Sequence, residues 1–123
     1  RTCYGVITDM NEPLGCKVGN ALEVIEAVQV LAMKDVKPYL EPDLSLVEDN
    51  NTSTREGYDR HGIYRLLTVS LTLAAYMYMA AGKSDDFEAA KAQCEKAIES
   101  GAALARFKEF VKHRVAMAVT STM

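Results

Sequence analysis

The sequence predicts an α/β fold in which one β-strand is followed by about four helices. The run Cys3 to Thr8 is short, apolar and rich in β-branched and aromatic residues, which is typical of a strand buried on both faces. Later segments instead repeat apolar residues at three- and four-residue spacing, as helices do. Because one strand cannot form a sheet, we expect its pairing partners to come from residues outside this chain or from another chain.

The loop that follows the predicted strand is the first place to look for a ligand. Asp9 to Gly19 contains Asp, Asn, Pro and two Gly, which are typical of an irregular loop. In open α/β sheets, ligands bind at the carboxyl ends of the strands. A first helix is then predicted from Asn20 to about Met33, and Lys34 to Gly62, with its prolines and polar run, is predicted to be a long loop or a partly disordered insertion.

Three more helices are predicted in the second half of the chain. Ile63 to Ala81 is apolar around most of a helical circumference and is followed by Gly82, so we predict the most buried helix there. Ser84-Asp85-Asp86 can cap a third helix that runs through Ile98 and ends at Gly101. A fourth helix is predicted from Ala102 to about Val119.

Composition and charge exclude several classes of protein. The chain has 123 residues, 49% hydrophobic and 25% charged, which is typical of one soluble globular domain or part of one. Its 14 basic and 17 acidic residues are interspersed, so no basic stripe is available for nucleic acid. Polar residues interrupt the stretch Ile63 to Ala81, which favours a core helix over a membrane span.

The three cysteines and two histidines limit the disulfide and metal sites that the chain could form. Cys3, Cys16 and Cys94 are odd in number and widely spaced, which fits neither a disulfide framework nor a zinc site, so we expect a reducing cytoplasm. His61 and His113 have no companion at ligand spacing and are predicted to be surface residues. The chain begins at Arg1 without a visible secretory signal, and we expect it to be a piece of a longer protein.

A long motif connects this sequence with a known enzyme family. Residues Ile7 to Ala27 read ITDMNEPLGCKVGNALEVIEA, with Thr-Asp-Met at the end of the predicted strand and Gly-Asn-Ala-Leu-Glu-Val at the start of the next helix. This block resembles the signature of the thymidine and pyrimidine-nucleoside phosphorylases. Ala81-Gly82-Lys83 and Ala97 to Leu104, with Phe107, resemble the later helices of the family in the same order. The two matches imply a piece of the large α/β domain of a two-domain, homodimeric nucleoside phosphorylase.

The resemblance implies a reaction but names no catalytic residue in this chain. Members of the family cleave pyrimidine nucleosides such as thymidine or uridine with inorganic phosphate and release the base and a pentose 1-phosphate. The glycine-rich phosphate segment and the residues that hold the base precede the Thr-Asp-Met strand in the family, and those motifs are absent from this sequence. We therefore name no catalytic or substrate-binding residue, and expect the isolated chain to be inactive.

A structural cation is the one site that the resemblance carries onto these residues. In some members a potassium-like ion is bound by main-chain carbonyls of the Pro-Leu-Gly loop and by a glutamate of the following helix, and the matching positions are Leu14, Lys17 and Glu26. Oxygen ligands suit such a hard cation. Lys17 departs from the small or neutral residue that the family often has. The alternatives are that Glu26 is a solvated helix residue and that Asp9 only accepts hydrogen bonds from loop amides.

Two other functions stay open at this point. An enzyme similar to anthranilate phosphoribosyltransferase would share the architecture, although the Thr-Asp-Met and Gly-Asn-Ala-Leu-Glu-Val pair favours a nucleoside phosphorylase. A non-catalytic truncated remnant or helical binding module is the second alternative. The unmatched segments 34–62 and 116–123 favour that second alternative over an intact enzyme part.

Overall fold

The computed structural model describes residues 3–11, 14–40 and 55–122. In the last of these ranges, side chains are described for residues 62–117. Five helices occur in these ranges: α1, Asn20–Leu31; α2, Lys37–Leu40; α3, Arg55–Ala80; α4, Phe87–Glu99; and α5, Ala102–Thr122. Helices α1, α4 and α5 confirm three predicted helices to within a few residues. The remaining predicted helix, Ile63 to Ala81, matches the later part of α3.

The predicted α/β fold is wrong for the part of the chain that the structure describes. Cys3 to Thr8 has no regular secondary structure, and no strand forms elsewhere in the described ranges. The side chain of Ile7 is fully exposed at 102%. Aromatic and β-branched residues suit a strand, but a strand exists only where a neighbouring segment accepts and donates its backbone hydrogen bonds. No described segment takes that position beside Cys3 to Thr8.

The range 34–62 differs from the predicted loop at both of its ends. Helix α2 occupies Lys37–Leu40, and α3 begins at Arg55, eight positions before the predicted start at Ile63. Residues 41–54 lie outside the described residues, so the predicted insertion is not tested there. The α1–α2 connection is fixed by a contact distant in sequence, because the Val36 amide donates to Glu99 Oε1 at 3.2 Å.

The helix ends follow from local chemistry. Asp86 caps α4, since its carboxylate accepts a hydrogen bond from the Ala89 amide at 3.1 Å. Helix α3 ends in a Schellman motif, in which Gly82 has a φ of +75° and the Lys83 amide donates to the Tyr78 carbonyl at 3.2 Å. Gly101, with a φ of +82°, separates α4 from α5. These are the glycines that the sequence predicts as helix stops.

The hydrophobic core lies where α3 packs against α4 and α2, and Val30 from the end of α1 belongs to the same cluster. Its buried members come from four parts of the chain: Val30, Val36, Leu67, Leu71 and Ile98. Helix α5 packs along α4 and touches α1, but from Phe110 to Met117 its residues are exposed. The N-terminal segment reaches the other end of α3, where Tyr4 contacts Tyr76 with ring centroids 5.7 Å apart.

Helix α3 is apolar around its circumference but buried on one face. Leu67, Leu71 and Ala75 are buried at four-residue spacing, whereas Leu73 and Met77 are exposed. By length and composition alone, one stretch of the described chain, Gly62–Ala80, could cross a bilayer. Core helices of soluble proteins meet the same criterion, and the buried face here belongs to a protein core. The absence of a membrane partner stays a prediction.

Candidate functional site at the glycine loop and Glu26

The loop after the N-terminal segment is tied to helix α1 by a buried carboxylate. Glu26 lies in the second turn of α1 and is only 6% exposed. Its Oε2 accepts a hydrogen bond from the Cys16 amide at 2.9 Å. The alternative in which Glu26 is a solvated helix residue is therefore wrong. A buried carboxylate needs hydrogen-bond donors, and here the loop backbone supplies one.

The position of Glu26 follows from the start and the face of its helix. Helix α1 begins after Gly19, whose carbonyl accepts a hydrogen bond from the Glu23 amide at 2.8 Å. Residues four apart lie on the same face of a helix, so Glu26 and the core residue Val30 both point into the protein. The loop contacts this face at Glu26, and one turn later Val30 packs into the hydrophobic core.

Gly15 makes the close approach of loop and carboxylate possible. Its φ is +72°, in the left-handed region that favours glycine. A Cβ atom placed on Gly15 would overlap Oε1 of Glu26 and come within 2.7 Å of its Cδ. Any side chain at this position would therefore separate the loop from the carboxylate.

The structure brings the three predicted cation-site residues into one region without testing the ion itself. Leu14 and Lys17 flank the Gly15-Cys16 backbone that contacts Glu26. Lys17 is half-buried, and its Nζ is 3.5 Å from Oε1 of Gln29, a weak contact at most. The ammonium group of Lys17 thus lies beside a neutral amide on α1.

The donor groups suit a hard, weakly held cation. A carboxylate has about four lone-pair sites, so the hydrogen bond from Cys16 leaves acceptor capacity on Glu26. Main-chain carbonyls and a carboxylate are the oxygen ligands that such ions prefer. Within the described ranges, no three His, Cys, Asp or Glu side chains gather at one point. Thus the candidate site uses one carboxylate and backbone oxygens.

Asp9 has the role that the loop-capping alternative gives it. Its Oδ1 accepts a hydrogen bond from the Asn11 amide at 2.9 Å, two residues later. This is an Asx-type turn, which shapes the start of the loop. His113 is exposed, as predicted, whereas the side chain of His61 lies outside the described residues.

A cleft of mixed polarity beside the loop was not predicted from the sequence. It has a volume of about 660 Å³ and lies between residues 6–9, 11 and 14 on one side and one face of α3 on the other. The face of α3 contributes Tyr64, Arg65, Thr68, Val69 and Thr72. Arg65, Thr68 and Thr72 are spaced three and four residues apart, so they share a helix face. The polar interruptions of the apolar stretch were the signal that could have located this cleft.

The sequence of this chain is similar to those of known enzymes over most of its length, including this loop. The chain is 33% identical over 114 residues, or 93% of its length, to pyrimidine-nucleoside phosphorylases of Staphylococcus aureus strains bovine RF122 / ET3-1, USA300 and NCTC 8325 / PS 47. The resemblance to pyrimidine-nucleoside phosphorylases is confirmed. This chain spans 20% of the length of each relative, about a fifth.

Two other comparisons gave no match. No protein-family model matches the sequence. No solved structure matches it either. The relation to the Staphylococcus aureus proteins consequently rests on sequence identity, and it concerns the segment of those proteins that aligns with this chain.

Proposed function

We propose that this chain is a segment of a pyrimidine-nucleoside phosphorylase and supplies the cation-binding loop of that enzyme. The observation that carries the proposal is the buried Glu26 carboxylate holding the Cys16 amide at 2.9 Å, inside the motif shared with the family. The 33% identity to pyrimidine-nucleoside phosphorylases supports it. The complete enzyme would cleave a pyrimidine nucleoside with inorganic phosphate to give the free base and a pentose 1-phosphate.

In this proposal the chain positions charge and leaves bond cleavage to other parts of the enzyme. The carbonyls of Leu14 and Lys17 and the carboxylate of Glu26 would hold a potassium-like cation. That ion would add a positive field near the dianionic phosphate, which favours its binding. Glu26 also keeps the loop backbone in place through Cys16. The groups that bind phosphate and base would be contributed by the remainder of the enzyme.

The cellular setting is part of the same proposal. We place the complete enzyme in the cytoplasm as a homodimer. The odd number and wide spacing of Cys3, Cys16 and Cys94 fit a reducing compartment. The homodimer rests on the family resemblance.

A segment exchange tests the proposed function. The segment of a Staphylococcus aureus pyrimidine-nucleoside phosphorylase that aligns with this chain is replaced by the chain, and phosphate-dependent release of thymine or uracil is measured. We expect activity in the chimera and none in the isolated chain. A matched chimera that carries Glu26→Gln should have reduced activity that depends less on potassium concentration. Activity of the pure chain, or a folded chimera without activity, would contradict the proposal.

A helical binding module is the second candidate function, and an apolar groove favours it. The groove lies between α1 and α5 and has a volume of about 530 Å³. Its apolar lining consists of Val28, Leu104, Phe107, Val111, Val115 and Ala116. Exposed apolar surface of this kind often marks an interaction site. A Val111→Asp substitution that leaves the chimera active but abolishes binding of the isolated chain to a cellular protein would favour the module.

A further inference from the structure

The loop that contacts Glu26 is also in close contact with helix α3. Gly62 is buried on α3 and faces the loop. A Cβ atom placed on Gly62 would overlap the Cys16 sulfur and lie 3.0 Å from the carbonyl carbon and 3.1 Å from the carbonyl oxygen of Gly15. Real Cβ atoms essentially never come closer than 3.0 Å to another group. No side chain fits at Gly62 unless the loop moves.

The loop backbone is therefore enclosed from two sides. On one side Gly15 leaves no room between the loop and the Glu26 carboxylate, and on the other Gly62 leaves none between the loop and α3. An atom added at Gly62 would meet both the thiol of Cys16 and the backbone of Gly15. Hence α3 limits how far the loop can move from Glu26.

We propose that Gly62 is a positioning residue for the cation-binding loop. Because Gly62 has no side chain, α3 can hold Gly15 and Cys16 against Glu26, so that the Cys16 amide stays on the carboxylate. The part of this inference that concerns the cation rests on the proposed function. The part that concerns the Cys16 hydrogen bond does not.

The substitution Gly62→Ala should have two effects that can be told apart, because alanine and glycine differ in helix propensity. Alanine is a better helix former than glycine, and no left-handed φ is found at Gly62, so Gly62→Ala alone should strengthen α3. If Gly62 positions the loop, the same change should weaken the contact between Cys16 and Glu26. The two effects have opposite signs and can be measured separately.

The first experiment measures amide hydrogen exchange in the full chain by NMR. Gly62→Ala is compared with Ser70→Ala, a control at an exposed position of the same helix. We expect Gly62→Ala to accelerate exchange of the Cys16 amide at least about tenfold, as loss of a hydrogen bond to a charged group implies, relative to the Val30 amide. A global loss of stability would accelerate both amides alike. Unchanged relative protection of Cys16 would overturn the proposal.

A second variant keeps the test decisive if Gly62→Ala folds poorly. Cys16→Ala removes the sulfur that the new methyl group would overlap. The double variant Gly62→Ala, Cys16→Ala should therefore recover part of the protection of the residue 16 amide. Destabilisation unrelated to this contact would not be relieved, and failure of the double variant to recover any protection would contradict the positioning role.

Thallium binding, followed by ²⁰⁵Tl NMR in the active chimera, tests the cation. We expect Gly62→Ala to weaken Tl⁺ binding at least about tenfold, in step with the loss of the Cys16 contact, and Ser70→Ala to leave it unchanged. If the unsubstituted chimera binds no Tl⁺, the proposed cation site fails, while hydrogen exchange still decides the role of Gly62. Unchanged Tl⁺ affinity in Gly62→Ala would overturn the cation part of the inference.

Discussion

Glu26 combines a structural contact with the proposed role of cation ligand. A buried carboxylate is costly unless hydrogen bonds or a cation compensate the loss of water. The Cys16 amide provides one such bond at 2.9 Å, and the glycine at position 15 lets the backbone come that close. A cation at the same carboxylate would add compensation without displacing the amide. The structural role and the proposed ligand role are therefore compatible.

Glu26→Gln tests the value of that charge. We expect it to lower the free energy of unfolding by about 1–1.5 kcal/mol, because the Cys16 amide exchanges a charged acceptor for a neutral one. Glu23→Gln is the matched control, since Glu23 is exposed in the first turn of the same helix and should cost only about 0.3–1 kcal/mol through the helix dipole. Urea denaturation measures both. Equal losses would mean that burial and the loop contact add nothing at position 26.

The Cys94 thiol should react slowly with alkylating reagents. Burial, and to a lesser extent the negative charge of Glu95, raises the pKa of Cys94 above its usual value of 9.0. A raised pKa favours the neutral thiol, so the reactive thiolate forms only at higher pH. At pH 8 we expect iodoacetamide to modify Cys94 more slowly than the exposed Cys3, as measured by peptide mass spectrometry. In urea the difference should disappear, and a faster Cys94 in the folded chain would contradict the pKa direction.

At the scale of elements, the helices with local start and stop signals could be predicted from sequence. Asp86 and Gly101 bound α4, and Gly82 ends α3, because caps and left-handed glycines act within one turn. The predicted strand failed because pairing requires a second segment, which local sequence does not reveal. The early start of α3 at Arg55 was missed because residues 55–62 have little apolar periodicity.

The candidate site also has a part that could be predicted from sequence and a part that could not. The shared motif placed Leu14, Lys17 and Glu26 near one another, and the structure brings the Gly15-Cys16 backbone onto Glu26. Gly62 and Arg65 could not be connected with that loop, because both lie more than forty residues beyond it and their approach depends on the packing of α3. Sequence separation hides contacts that only tertiary structure creates.

The N-terminal cap of α4 offers a test of a local signal. Asp86→Ala removes the carboxylate that accepts the Ala89 amide, so we expect the free energy of unfolding to fall by about 1 kcal/mol. Asp85→Ala is the control, since Asp85 is exposed and precedes the cap residue. Thermal melting followed by circular dichroism compares the two. An equal loss in Asp85→Ala would assign the effect to charge near the helix start and not to the cap.

At the scale of the whole molecule, one core unites segments from both halves of the chain. Val30 and Val36 come from the first forty residues, Leu67 and Leu71 from α3, and Ile98 from α4. The contact between the Val36 amide and Glu99 closes the same unit. A core assembled from distant segments predicts that these segments unfold together. The loop at residues 14–17 is linked to this unit through α1 and α3.

Leu67 is the residue whose loss should show this cooperativity most clearly. It is fully buried at 0% exposure, so Leu67→Ala should lower the free energy of unfolding by about 2–5 kcal/mol through lost burial and a cavity. Leu73→Ala, on the same helix at 41% exposure, should cost clearly less. Circular dichroism would report loss of helix, and hydrogen exchange would report the Val30 and Ile98 amides. If the Leu67 variant exposed α3 while Val30 and Ile98 kept their protection, the core would not be one cooperative unit, and the position of the loop on Glu26 would depend on α1 alone.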